Sequence, residues 1–364
     1  MNDTMIEHST ARLFGDKVDK ALLERFETGL FPAELWQLAV DSGFDMALAS
    51  EAAGGIGETW TGAWPVMRGI GYWQVPLPLA ETMIATMLLS LAGIERPDGP
   101  ITLIEQGLAN TLRASGDGAG LKLGGTVHHV PWARHCPAAL VSIAGTGLAL
   151  VDLHAPGVSI TERLDKARTP SDTVSFDGTG VLACAPNPMV GLTHPVFTLG
   201  ALARSMMMVG ALEWLLEQSV QYAGDRVQFG KPIGRNQAIQ QPLALMAGDV
   251  ASARLASLIA ARDAPSSTSS DCRSTVFSTA VAKIRSGEAA TRGTSIAHQT
   301  HGAIGFTYEH RLNFATRRLW SWREDFGADS WWAERLGRAA IIGGSAGFWP
   351  GVTERRFTTP IETT

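Results

Sequence analysis

Arg226-Val-Gln-Phe229-Gly230-Lys231-Pro232-Ile233-Gly234-Arg235-Asn236-Gln237 interrupts two long helical patterns, and its reading decides the fold. As an inter-helix turn it is well composed: Gly and Pro supply the backbone angles, and the cations cover the carboxyl end of the preceding helix. Chemically it also offers something sharper. An arginine fork, an exposed aromatic ring and a lysine on one turn suit a diphosphate beside a planar ring, because guanidinium pairs phosphate oxygens bidentately and the aromatic ring stacks. Upstream, Leu199, Leu202, Met206, Val209, Leu212 and Leu216 recur at helical spacing with Arg204 and Glu213 among them, which reads as a buried helix and not a membrane span. Downstream, Asn236–Arg262 and Thr275–Thr300 read as long helices, and Leu312–Gly343 as one or two more. Such apolar stripes are buried together in a bundle. The polar stretch Asp263–Asp271 reads as a loop between two bundle helices.

Gln299-Thr-His301-Gly302-Ala303-Ile304-Gly305-Phe306 closes one of those helices. A C-cap explains one glycine only. Two glycines let a backbone approach a ligand closely, and Gln299 and His301 can hydrogen-bond to it. Nearer the start, Lys17 to Leu91 is helical and punctuated by Gly43, Gly54-Gly55, Gly57, Pro76 and Pro78. After Pro100 the texture changes. Short β-forming runs (Ile101–Ile104, Leu121–Leu123, Ala139–Ile143, Leu148–Leu153, Val158–Thr161, Thr173–Phe176) predict a small antiparallel β domain. The expected organisation is therefore α+β and mostly helical: a helical domain over 1–98, a β domain over 99–190 and a helix bundle over 191–364.

With 364 residues, 30 Lys+Arg and 35 Asp+Glu, the chain carries a net charge of −5 and no long basic run. That argues against nucleic acid, whose backbone is bound by clustered cations. Cys136, Cys184 and Cys272 lie too far apart for a disulfide framework or a structural zinc site. MNDTMIEHSTARLFGDK has neither an apolar core nor a small-residue cleavage site, so a cytoplasmic location without membrane association is expected. No Gly-x-Gly-x-x-Gly follows a strand, which speaks against a dinucleotide fold. Gly343-Gly-Ser345-Ala-Gly347 matches the nucleophile-elbow pattern, but no histidine follows His310, so a glycine-rich helix end is the better reading. His128-His129 with His135-Cys136, and His298-x-x-His301, lack further ligands at metal spacing, and no metal is expected.

Taken together, the Arg226–Gln237 and Gln299–Gly305 segments and the order of helical, β and helical regions resemble the acyl-CoA dehydrogenase family over nearly the whole chain. Leu35-Trp36-x-Leu38-Ala39-x-x-x-Gly43 and Gly54-Gly55-x-Gly57 belong to the same likeness. The resemblance implies FAD, a homotetramer or related dimer of dimers, and α,β-dehydrogenation of an acyl-CoA thioester. It also implies that Arg226, Phe229, Gly230, Gln237, Gln299, His301, Gly302, Ala303 and Gly305 hold the ADP and pyrophosphate half of an FAD whose flavin lies in the neighbouring subunit. Arg204 matches the arginine that the family places on the first bundle helix, near the active site.

Two parts of the family pattern are missing. The reaction needs a carboxylate to take the proton next to the thioester carbonyl. Counted without gaps, the usual glutamate falls on Phe326 of Asp325-Phe326-Gly327, and the alternative position, before Arg204, holds Ala203. Glu324 and Asp325 are the only nearby candidates, yet one residue along a helix turns a side chain by about 100°. On the flavin side, the usual aromatic-Ile-Thr/Ser-Asn strand reads His129-Val130-Pro131-Trp132. Proline there offers neither a hydroxyl nor an N–H. The chain is similar to the short subunits of heteromeric, steroid side-chain type acyl-CoA dehydrogenases, which implies a heterotetramer in which this chain completes the FAD site of a base-carrying partner. A self-sufficient homo-oligomer with an unusual base and a flavin-free scaffold are the alternatives. Re-oxidation by an electron-transfer flavoprotein or by oxygen stays open.

Overall fold

Strand alternation builds the middle of the molecule. In the computed structural model, which describes residues 5–357 except 108, 109, 145, 146 and 308, together with Ile361, two four-stranded sheets stack there. One has the order β1 (Ile101–Glu105), β4 (Ala138–Ile143), β5 (Gly147–Asp152), β8 (Ala183–Ala185). The other has the order β2 (Arg113–Ser115), β3 (Lys122–Pro131), β7 (Ser171–Gly180), β6 (Val158–Thr161). Val141, Ala149 and Val151 face Leu123, Val127, Val174 and Phe176 in one apolar core, whereas Leu140, Leu148 and Leu150 join the helical core on the opposite face. Burial on both faces is why these strands read as continuous apolar runs.

The expectation of a wholly antiparallel domain needs correction, because β1 pairs with β4 in parallel, Ile101 opposite Ala138. Between them the chain crosses to the other sheet as β2 and β3, a connection long enough for parallel pairing. Strand β3 is also longer than its apolar run suggested. Register shifts at Leu123/Gly125 and Val127/Val130 break the period of two and hide it in the sequence. Gly125 takes φ +101, and a side chain there would meet the Thr111 carbonyl oxygen at 2.1 Å.

Helices α1 (Met5–Lys17), α2 (Lys20–Glu27), α3 (Ala33–Asp41), α4 (Trp60–Trp73) and α5 (Leu79–Ala92) precede the sheets. After them come α6 (Pro195–Asp225), the hairpin β9 (Val227–Gln228) and β10 (Lys231–Pro232), α7 (Gln237–Asp263), α8 (Arg273–His301), α9 (Leu312–Glu324) and α10 (Asp329–Glu354). Helix α6 is the axle: α4, α7, α8 and α9 all pack on it, and its residues from Pro195 to Leu215 are buried throughout. A helix surrounded on every side has no polar face to show, hence its near-uniform apolarity. Both α6 and α7 are long and apolar enough to cross a membrane, but 94% of the apolar window of α6 lies buried inside the protein. In α10 the helical path breaks at Gly344 (φ +69, ψ 170), so the Gly343–Gly347 run ends one helical segment and begins another.

Candidate functional site

Helix α6 ends at Asp225, and the chain turns through a two-stranded hairpin whose tip is Phe229-Gly230. Both tip residues have positive φ, +52 and +78, the geometry that matches the twist of a tight hairpin. Phenylalanine is an unfavourable choice for that backbone, since a bulky side chain at positive φ is strained. Its ring projects into solvent, 97% exposed. Arg226, Gly230, Lys231 and Gln237 are exposed around it, and among the described residues no ion pair engages Arg226. The hairpin base is fixed by Ile233 N–H donating to the Arg226 carbonyl at 2.9 Å.

The second segment lies against the last turns of the helix that leads into the first. The His301 ring stacks on Tyr222 of α6, one helical turn before Arg226, with centroids 4.6 Å apart. Gln299, Gly302 and Ala303 are exposed next to it. Gly302 takes φ +63 and ψ −143, and nothing lies within 4 Å of where a side chain would be, which suits close approach by a ligand. Two of the expected contacts are turned inward instead. His301 is buried, with Nδ1 2.8 Å from the Ala297 carbonyl, so it joins the two segments and does not face outward. Gly305 is buried too; a side chain there would meet Leu312 and the His301 Cβ near 3 Å, so its glycine serves packing. Tyr222 was not legible as a site residue, although its place four residues before Arg226 on one helix is the signal that could have found it.

A cleft of about 620 Å³ opens between the sheets and the bundle. Its walls include Val127 to Trp132 of the β3 end, Leu77 and Glu81, Phe197, Arg204, Glu324, Asp325 and Phe326. Pro131 stands in this wall, and its carbonyl accepts a hydrogen bond from the Thr102 hydroxyl. The Phe326 ring packs on Gly200, where a side chain would come within 2.6 Å of it. At the inner end the buried Arg204 guanidinium donates to Glu81 Oε1 at 2.5 Å and to Asp325 Oδ2 at 2.9 Å. Burial opposes its charge, yet Glu81 and then Asp325 outweigh this and hold its pKa above the ordinary value. Glu105, another buried carboxyl of the wall, is pushed up by burial; its Oε2 accepts the Phe197 N–H at 3.0 Å, in the first turn of α6. Asp325 and Glu324 do line the cleft. Asp325 sits one residue past the end of α9 in extended backbone, so the helical turn angle does not govern its direction.

What directs Asp325 is Lys283, which is 1% exposed. Its Nζ donates to the carbonyls of Trp322, Arg323 and Asp325 at 2.9, 3.1 and 2.7 Å, capping α9 at its C-terminus. The following Phe326 and Gly327 adopt φ +52 and +86, and Trp332 Nε1 donates to the Phe326 carbonyl at 3.0 Å. Burial pulls the Lys283 ammonium down to about 7. The unfolded chain keeps that proton up to pH ~10.4. Between these limits the unfolded state binds more protons, so this group makes stability rise with pH through the window, by at most ~1.4 kcal/mol per unit. Lys283→Met is expected to remove that rise. The stability difference between wild type and variant, from urea melts, should be flat below pH 7 and move in favour of wild type toward pH 10.

Among the described residues no group of three or more His, Cys, Asp or Glu side chains could hold a metal ion. The histidines of the Gln299 region meet one another and aromatic rings: His301 with His310, and His298 with Phe306, at centroid distances of 4.8 and 4.4 Å. Burial lowers the pKa of His298, His301 and His310.

Comparison with known proteins gives a consistent picture. Residues 192–340 match the family model of the acyl-CoA dehydrogenase C-terminal domain. The acyl-CoA dehydrogenase IpdE2 of Mycolicibacterium smegmatis is 29% identical over 299 residues, covering 80% of this chain and 83% of that protein. Among solved structures, the ChsE4-ChsE5 complex from Mycobacterium tuberculosis contains a similar chain with TM-score 0.77 and 24% identity, covering 94% and 99% of the two chains. The Tcur3481-Tcur3483 steroid ACAD is similar with TM-score 0.81 and 24% identity, covering 93% and 97%. At those identities the two structures establish the fold.

Proposed function

We propose that this chain, whose residues 192–340 match the acyl-CoA dehydrogenase C-terminal domain, is a member of that family and completes the FAD site of an unlike, base-carrying partner in a heteromeric acyl-CoA dehydrogenase. One observation supports this reading: the exposed Arg226–Gln237 hairpin and the Gln299–Ala303 segment both adjoin the last turns of α6, where His301 stacks on Tyr222, while the cleft of the same chain presents Pro131 and Phe326, the residues at which the family resemblance expects flavin contacts and a base. The fit to FAD thus divides in two. Arg226 and Lys231 would hold the pyrophosphate, Phe229 would cover a planar ring, and Gln237 and Gln299 would donate to the dinucleotide. The β3 end offers a proline in place of a hydroxyl and an N–H, so the ring half does not fit this chain's own cleft.

When bound, FAD supplies the acceptor for the hydride that leaves the acyl chain. On this reading removal of the proton beside the thioester falls to a carboxylate of the partner, since the Phe326 ring at the expected position cannot accept a proton. The ChsE4-ChsE5 complex and the Tcur3481-Tcur3483 steroid ACAD support an assembly of two unlike chains, and the latter supports a CoA ester of a bulky acyl group as substrate class. Cytoplasmic location and re-oxidation through an electron-transfer flavoprotein belong to the same reading.

The test is flavin absorbance and subunit stoichiometry of the chain purified alone and co-expressed with an unlike acyl-CoA dehydrogenase chain. One FAD per unlike pair, and none on the chain alone, is the expected result. One FAD per subunit of the isolated chain would overturn the reading. Arg226→Ala in the complex should weaken FAD by about 10- to 100-fold, because a charge-assisted hydrogen bond contributes ~1.5–3 kcal/mol, with the circular dichroism spectrum unchanged. A second reading, a self-sufficient enzyme using Asp325 or Glu324 as base, draws on their place in the cleft wall. It requires activity of the chain alone that falls in Asp325→Asn or Glu324→Gln.

A further inference from the structure

Carboxylates outnumber cations around the cleft. Glu81, Glu105, Asp165, Glu324 and Asp325 line it against Arg204, Arg318 and Lys166. Arg204 is the cation at its inner end, and its guanidinium is engaged on every side. Nη2 meets Glu81, whose side chain is 2% exposed; Nε meets Asp325; Nη1 lies 3.4 Å from Met207 Sδ; and the Phe326 ring centre is 5.4 Å from Cζ. The two carboxylates differ in position. Glu81 lies deep, while a third of the Asp325 side chain is exposed. Asp325 is held in that place by its own main chain, through the Lys283 ammonium on its carbonyl oxygen.

We propose that this cleft is self-neutralised: Asp325 occupies on Arg204 the place that the anionic group of a ligand would take, and Lys283 is the positioning residue that keeps it there. The inference rests on the reading that this chain's own cleft is not the flavin-carrying one. It extends that reading by saying what the cleft does instead, which is to turn away anions. A guanidinium already satisfied by two carboxylates gains little from a third, and the surplus of carboxylates repels one further. With Asp325 neutral, the Nε edge of Arg204 faces an apolar cleft large enough for an amphiphile.

The experiment titrates the full-length chain with a fluorescent fatty carboxylate, 11-(dansylamino)undecanoate, and with its uncharged methyl ester. Wild type is expected to bind the uncharged ester more tightly than the carboxylate, by about threefold or more. Asp325→Asn should bind the carboxylate at least tenfold more tightly than wild type does, with the ester changed by less than threefold. Lys283→Met, which keeps the aliphatic length and releases the turn, should shift the carboxylate in the same direction and serves if Asp325→Asn fails to fold. Unchanged carboxylate affinity in the folded variants would overturn the proposal. So would an equal gain for both probes, which reports an opened cleft and not a freed charge, or a tenfold preference for the carboxylate already in wild type. Flavin content of the co-expressed complex and its loss in Arg226→Ala report on the shared site separately, so either idea can fail alone.

Discussion

Gly210→Ala should lower the stability of the chain by about 3 kcal/mol or more, the upper end of the cost of overpacking a well-filled core. Gly210 lies on α6 where that helix touches α4, and an added Cβ would sit 1.9 Å from the Arg68 carbonyl oxygen and 2.7 Å from the Tyr72 amide. The contact is reciprocal. A Cβ on Gly71 of α4 would sit 1.7 Å from the Met207 carbonyl oxygen of α6. Backbone meets backbone at both points, so no side chain can swing aside; the helices must separate, and the packing shared by Met67, Ile70, Met206 and Val209 is lost with the contact. Gly248→Ala on α7 is the control with the opposite sign. Nothing lies within 4 Å of its Cβ position, and removing a mid-helix glycine should stabilise by roughly 0.5–1 kcal/mol. Urea melts of the three proteins decide the matter. If Gly210→Ala and Gly248→Ala shift the midpoint alike, the close approach of α4 and α6 is not what packs the N-terminal helices onto the bundle.

Arg204→Met should cost about 3–5 kcal/mol, because it leaves Glu81 buried, charged and without its guanidinium. The size of the loss measures the stranded carboxylate more than the worth of the pair. Glu81→Gln in the same background is therefore expected to return most of the stability, and the double variant should melt well above Arg204→Met alone. Asp325→Asn by itself should change stability far less, since its side chain is a third exposed and water can take over its role. Equal losses for Glu81→Gln, Arg204→Met and the double variant would instead indicate a network that fails as a unit.

Much of the architecture could be read from the chain. The long bundle helices announced themselves through apolar spacing, and the structure places them at Pro195–Asp225, Gln237–Asp263 and Arg273–His301, within a few residues of the expected spans. A helix buried on all sides and a helix with one wet face both leave periodic signals strong enough to survive context. The β region was legible only where alternation was regular. The irregular register of β3 hides its full length, and the parallel pairing of β1 with β4 leaves no local signal because strand direction depends on the path between strands.

The site divides in the same way. Arg226, Phe229, Gly230, Gln237, Gln299, Gly302 and Ala303 were visible because a turn needs no such combination of fork, ring and glycines, and all are exposed in the structure. His301 and Gly305 belonged to the same motif but face inward. Side-chain direction past a helix end depends on backbone angles that residue type alone does not set. Glu81 was a lone charge in an apolar helical run, a signal that something must compensate it with no indication of what, whereas Lys283, with Arg285 and Glu288 close by, gave no such signal.

The amino-acid sequence by itself determined the class of fold and marked the Arg226–Gln237 turn and the Gln299–Gly305 segment as unusual, because helical periodicity, turn chemistry and residue identity are local properties. Only the tertiary structure decided that Tyr222 and His301 join the two exposed segments, that Asp325 points onto Arg204, and that Lys283 holds it there. Those relations link residues 79, 121 and 42 positions apart, and a contact across such distances is set by how helices pack, which no window of sequence contains.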